Sequence, residues 1–143
     1  MASLSPLSAT DARRAAAAAA RLLAVDPRVH LVFLFGSAVR GVMARDVDLA
    51  VQADPPFTLE ERVARQADLT AAIGAPIDLV PLEDASVALR YEVAETGVCL
   101  SARTPDAATE FVIRSRALYW DFRPFLDEQW RLAGERTTTR HGA

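Results

Sequence analysis

The sequence predicts an α/β (α+β) domain in which helices flank a small mixed β-sheet, and three observations carry that reading. An uninterrupted apolar run, Leu31-Val32-Phe33-Leu34-Phe35, has the length and continuity of a strand buried on both faces. Two shorter strand-like runs follow at 46–52 and 77–80, each bounded by turn residues. Helix start and stop signals recur around them, as expected when helices cover a sheet.

Taken in order, Pro6 to Val25 reads as a helix, with Ser8 or Thr10 as its cap and Pro27 closing the connection. Residues 30–35 form the first strand, and Ser37 to Gly41 a short helical turn. In 46–52, Val47, Leu49 and Val51 face one way while Asp46, Asp48 and Ala50 face the other. Pro55-Pro56 breaks this strand. Thr58-Leu59-Glu60-Glu61 is a capping-box signature that opens a helix to Ile73, and Gly74 ends it. Pro76 introduces the third strand, 77–80. Asp84 is expected to cap a helix through Glu95, closed at Gly97, with a short strand at 98–102. Asp106 opens a C-terminal helix in which Phe111, Leu118, Phe122 and Phe125 lie near helical spacing, and Pro124 is expected to kink or interrupt it. Residues 1–133 read as a single domain and the polar stretch 134–143 as a disordered tail.

Composition narrows the function classes. A chain of 143 residues with 51% apolar and 24% charged content can bury one moderate core. Its net charge of −3 argues against direct nucleic-acid binding. All sixteen basic residues are arginine, which excludes a P-loop lysine, a lysine Schiff base and a kinase-type strand lysine within this chain. Cys99 stands alone, so no internal disulfide forms; in Val98-Cys99-Leu100 it reads as a small core residue. His30 and His141 are too far apart in sequence to suggest a histidine-rich zinc site. No segment is apolar enough to span a bilayer, and the cytoplasm is the expected location.

The chemistry concentrates in one stretch. Gly36-Ser37 follows a buried strand, and Asp46-Val47-Asp48 opens the next. Asp46 and Asp48, at i and i+2, share a strand face. Two such carboxylates joined by a third, Asp78 in Ile77-Asp78-Leu79-Val80, repel one another, and a divalent cation resolves that repulsion. Two Mg²⁺ ions, or Mn²⁺ in their place, could be held by Asp46, Asp48 and Asp78 for an in-line displacement. Gly36 lets the backbone approach phosphates, Ser37 adds a hydroxyl donor, and Arg40 can pair with a phosphate oxygen. Taken singly, Asp-x-Asp also fits a solvated strand face and Gly-Ser an ordinary turn; their order and strand context favour a site for a metal-bound nucleoside triphosphate such as ATP.

These same residues, Leu34-Phe35-Gly36-Ser37, Arg40-Gly41, Asp46-Val47-Asp48-Leu49-Ala50-Val51 and Ile77-Asp78-Leu79-Val80, resemble the minimal nucleotidyltransferases of the DNA polymerase β superfamily. Leu89-Arg90-Tyr91-Glu92-Val93 and Gly97-Val98-Cys99-Leu100 are similar to the antitoxin branch of that family. The resemblance covers roughly residues 10–130 and implies a nucleotidyltransferase-like fold. It further implies an antitoxin that transfers AMP from ATP to a tyrosine of a HEPN-domain ribonuclease toxin and forms a hetero-oligomer with it. Two departures stand out. Only eight residues, 38–45, separate Gly-Ser from Asp-x-Asp, where the family has about ten, and Arg45 replaces a common serine, where it could compete with metal for the carboxylates. Two alternatives stay open: an antitoxin that acts by binding only, and a small-molecule nucleotidyltransferase of the aminoglycoside-modifying kind.

Within the later segments, Tyr91 is expected to pack inward from a helix surface. Most of the aromatic stretch Phe111 to Trp130 is expected to be core, with Trp120 and Trp130 as candidate interface anchors.

Overall fold

A strand that is apolar at every position is stable only if both of its faces are covered, and the chain is built to cover this one. The computed structural model describes residues 5–41 and 43–141. Strand β1 (Val29–Phe35) pairs on one side with β2 (Val47–Ala53) and on the other with β4 (Val98–Ala102), both antiparallel. Strand β3 (Ile77–Pro81) runs parallel to β2 and completes a mixed sheet of order β3-β2-β1-β4. Side chains alternate across β1, so Val32 and Leu34 enter one core while Leu31, Phe33 and Phe35 enter the other.

The first core lies under α1 (Ala9–Ala24) and α2 (Leu59–Ile73). The Ser8 hydroxyl caps α1 by accepting the Asp11 N–H at 3.1 Å. Ala12, Ala16, Ala19 and Ala20 form its buried face; such small side chains let the helix lie close on the sheet. The expected capping box opens α2, and Gly74 closes it in the left-handed conformation, φ +80°. Helix α2 also satisfies the free edge of β3: Gln66 accepts the Leu79 N–H at 2.8 Å and Thr70 accepts the Ile77 N–H at 3.1 Å. Arg28 binds Asp26 at 3.2 Å and Glu61 at 2.6 Å, and Arg65 also binds Asp26. This cluster ties the loop before β1 to the start of α2, and the Arg28 bond holds the Glu61 carboxyl down at about 2.

The second core lies under α3 (Val87–Thr96) and α4 (Pro105–His141), where the rings of Phe33 and Phe111 meet at 5.2 Å. Four expectations are corrected here. Asp84 lies in a 3₁₀ turn, Leu82–Asp84, and Ser86 caps α3 instead. The reason is Arg90, which donates to the carbonyls of Leu82 at 3.0 Å and Glu83 at 2.9 Å and holds an extra turn ahead of the helix. Cys99 is exposed, because β4 is an edge strand covered less fully than β1. Helix α4 continues through Pro124 without interruption, its bounds being Pro105–His141. Arg131 bonds Glu128 and Glu135 at 2.5 Å each along this stretch, the kind of spacing that supports an exposed helix. Residues 142–143 lie outside the described residues. Lastly, most of the large aromatics between Phe111 and Trp130 are exposed rather than core.

The Thr58 hydroxyl that caps α2 is exposed, and its removal leaves the Glu61–Arg28 ion pair in place, so the cap can be tested by itself. Thr58→Ala should lower unfolding free energy by about 1 kcal/mol in urea titrations with an unchanged slope.

Candidate active site

The strand register brings the acidic residues together. Asp48 is paired with Phe35 of β1 on one side and with Asp78 of β3 on the other. Neighbouring strands lie about 4.8 Å apart, so the Asp48 and Asp78 side chains are adjacent. Asp46 lies just before β2, two residues from Asp48, and is exposed, as is Asp78. The segment that delivers Asp46 is anchored by a two-way backbone bridge between Leu7 and Ala44, at 2.7 and 3.0 Å. Sequence reading missed that bridge, for a two-residue pairing between distant segments has no periodicity to reveal it.

Gly36 follows directly on β1 and opens a 3₁₀ turn, Gly36–Ala38. Its φ of +81° favours glycine, and a Cβ there would lie 2.6 Å from Asp48 Oδ2. The glycine thus makes room for the carboxylate, a role that the sequence alone did not suggest. The expected helical turn is only three residues long and contributes single N–H groups rather than a helix dipole. Ser37 is half-buried beside it. Arg40 is exposed one turn on and, among the described residues, enters no ion pair.

The electrostatics of the trio are unusual. Burial first, then the charges of Asp78 and Asp46, push the Asp48 carboxyl from its ordinary 3.8 up to about 6. Among the described residues no arginine forms an ion pair with any of the three. Arg45, despite its place beside Asp46, does not compete for them. No three acidic, histidine or cysteine side chains among the described residues are drawn closely enough together to hold an ion as they stand. The fit is instead one of donor chemistry: oxygen ligands, excess negative charge and two exposed carboxylates that can rotate toward a hard divalent cation.

Residues 19–106 match the family described as polymerase beta, nucleotidyltransferase. The chain belongs to this family. Protein adenylyltransferase MntA of Shewanella oneidensis is 30% identical over 95 residues, which cover 65% of this chain and 68% of the relative. Among solved structures, a chain of an MntA toxin–antitoxin complex superposes with a TM-score of 0.65 at 27% identity, covering 78% of this chain and 94% of its own. A chain of a toxin–antitoxin complex with AMP-PNP gives a TM-score of 0.63 at 25% identity, covering 87% and 99%. The nucleotidyltransferase family match takes in Gly36, Ser37, Arg40, Asp46, Asp48 and Asp78. Among the described residues no helix is long and apolar enough to cross a membrane.

Two consequences follow for the metal-free protein. Below pH 3.8 Asp48 is protonated whether the chain is folded or unfolded, and no penalty arises. As pH rises toward 6, the unfolded chain releases a proton that the folded one retains, so stability falls; above 6 the penalty is constant. Asp48→Asn should therefore be more stable than the parent at pH 8 in EDTA by about 1 kcal/mol after solvent screening, and the gain should vanish at pH 3.5. Thermal melts across that range measure it. Gly36→Ala should displace the Asp48 carboxylate, and should lower nucleotide affinity about tenfold or more in calorimetric titration with a non-hydrolysable ATP analogue.

Proposed function

We propose that this protein is a Mg²⁺-dependent adenylyltransferase that acts as a cytoplasmic antitoxin. It would transfer AMP from ATP to a hydroxyl, a tyrosine by preference, of a cognate HEPN-domain ribonuclease toxin. The observation that carries the reading is the group Asp46, Asp48 and Asp78, which enters no ion pair among the described residues and whose central member, Asp48, lies against Gly36. The adenylyltransferase name of the Shewanella relative and the AMP-PNP in a complex containing a similar fold support ATP as the donor.

In this reading the backbone at Gly36 and Ser37 and the Ser37 hydroxyl bind the triphosphate, and Arg40 pairs with a phosphate oxygen. Asp46, Asp48 and Asp78 hold the metal ions. When bound, Mg²⁺ would supply charge neutralisation for the phosphates and lower the pKa of the acceptor hydroxyl. Asp78, exposed on the outer strand, would hold the ion nearest the acceptor and help the acceptor hydroxyl lose its proton. The acceptor oxygen bonds to the α-phosphorus, the bond to the β-phosphate oxygen breaks, and pyrophosphate leaves. The chain from its N-terminal helix to α4 acts as a single nucleotidyltransferase domain.

Intact-mass spectrometry of the cognate HEPN protein, incubated with this protein, ATP and Mg²⁺, tests the proposal. Increments of whole AMP units are expected. Asp48→Asn and EDTA should each reduce transfer by at least about 10²-fold while circular dichroism stays unchanged. Undiminished transfer by Asp48→Asn would overturn the assigned metal role.

A further inference from the structure

Helix α4 is about 55 Å long, far more than the sheet beneath it can cover. It packs on α3, β4 and β1. Glu95 meets Arg116, and Tyr91 stacks on Tyr119 with ring centroids 3.8 Å apart, so α3 and α4 run antiparallel. Helix α3 begins at Val87, one turn before Tyr91, and its start therefore lies near the level of Phe122. Among the described residues α3 is the one helix on which α4 packs substantially.

The apolar pattern does not stop where the packing stops. The face buried at Phe111 and Ser115 continues through Leu118 to Phe122, Phe125, Leu126, Leu132 and Ala133, at helical spacing. Phe122 is 46% exposed, Phe125 58%, and Trp130, on the flank of the same strip, 78%. Covering these rings would remove apolar surface on the order of several hundred Å², as much as the largest patch a monomer normally leaves open. Trp120, 54% exposed, lies on another side of the helix with Arg123 over its ring, and is not part of the strip.

The margins identify the occupant. Asp121, Glu128 and Glu135 recur every seven residues along one edge, while Arg123 and Trp130 mark the other. Arg131 is shared between Glu128 and Glu135, and Asp121 enters no ion pair among the described residues, so Asp121 and Glu128 outweigh the one arginine beside them on the first edge. Two copies of this helix laid antiparallel, the arrangement that keeps their globular bodies apart, would set acidic edge against acidic edge. A helix of another protein with basic residues along its facing edge meets no such repulsion.

We propose that the outer part of α4, from Phe122 to Leu132, is a docking strip for an amphipathic helix with a basic margin on the protein that accepts the nucleotidyl group. This rests on the toxin-directed reading above. The strip would hold the acceptor protein while its hydroxyl is presented to the carboxylate trio, which puts holding on α4 and chemistry on β2 and β3.

The test uses the full chain and its cognate HEPN protein. Phe125→Asp combined with Trp130→Asp changes only exposed positions, and circular dichroism and melting temperature check the fold. The dissociation constant for the HEPN protein should rise about tenfold or more, as should the KM for it in AMP transfer, with kcat unchanged. Asp121→Arg combined with Glu128→Arg should slow association and reduce its salt sensitivity. If affinity and KM are unchanged in the first variant, the proposal falls and the transferase reading stands. It also falls if that variant only converts a dimer of this chain to monomer. If the parent protein binds the HEPN protein but transfers nothing, while the variant loses binding, the strip stands and the transferase reading falls.

Discussion

Asp48 and Asp78 stand side by side at the end of an apolar sheet with Asp46 two residues before Asp48, and among the described residues none of them is ion-paired. Much of the local structure serves to keep them there. Asp48 is forced into this position by pairing on both sides, to Phe35 and to Asp78. It could not turn away from its neighbours without breaking the central ladder of the sheet. Burial and repulsion together push its carboxyl up to about 6, so the metal-free site stores unfavourable energy. The two cores on either face of β1 and the Leu7–Ala44 bridge hold the frame against that repulsion. In the proposed function the same unfavourable charge would become an advantage once a cation and a nucleoside triphosphate entered.

The division of labour across the sheet follows from its topology. Helices α1 and α2 close one face and satisfy the edge of β3, which steadies the strand carrying Asp78. Helices α3 and α4 close the other face, but α4 outruns its support. One end of the molecule therefore concentrates charge for chemistry, while a projecting helix concentrates apolar surface. Those are the two properties that an enzyme acting on another protein requires.

Much of this was legible in the sequence because local signals and tertiary packing agree. The continuous apolar run at 31–35, the capping box at Thr58 and the Gly74 stop each describe an interaction between residues close in the chain. That Asp48 and Asp78 lie on strands was legible from the apolar residues around them, while their side-by-side pairing rests on the register of β2 with β3. The remainder depends on distant partners. Arg90 gripping the Leu82 and Glu83 carbonyls moved the α3 cap from Asp84 to Ser86. The exposure of Cys99 depends on β4 being an edge, which only the strand order reveals. The fit of Gly36 against Asp48 depends on the register of β1 with β2. The aromatic residues of α4 gave the wrong burial because helical spacing records that a face is apolar, not whether anything lies against it.

The most direct test of the account is the titration of the Asp48 side-chain carboxyl by carbon-detected NMR, in EDTA and then with Mg²⁺ and a non-hydrolysable ATP analogue. The account predicts a midpoint near 6 without metal, falling below the ordinary carboxylate value when metal and nucleotide bind. A midpoint near 3.8 in EDTA, or one that metal and nucleotide leave unmoved, would contradict it.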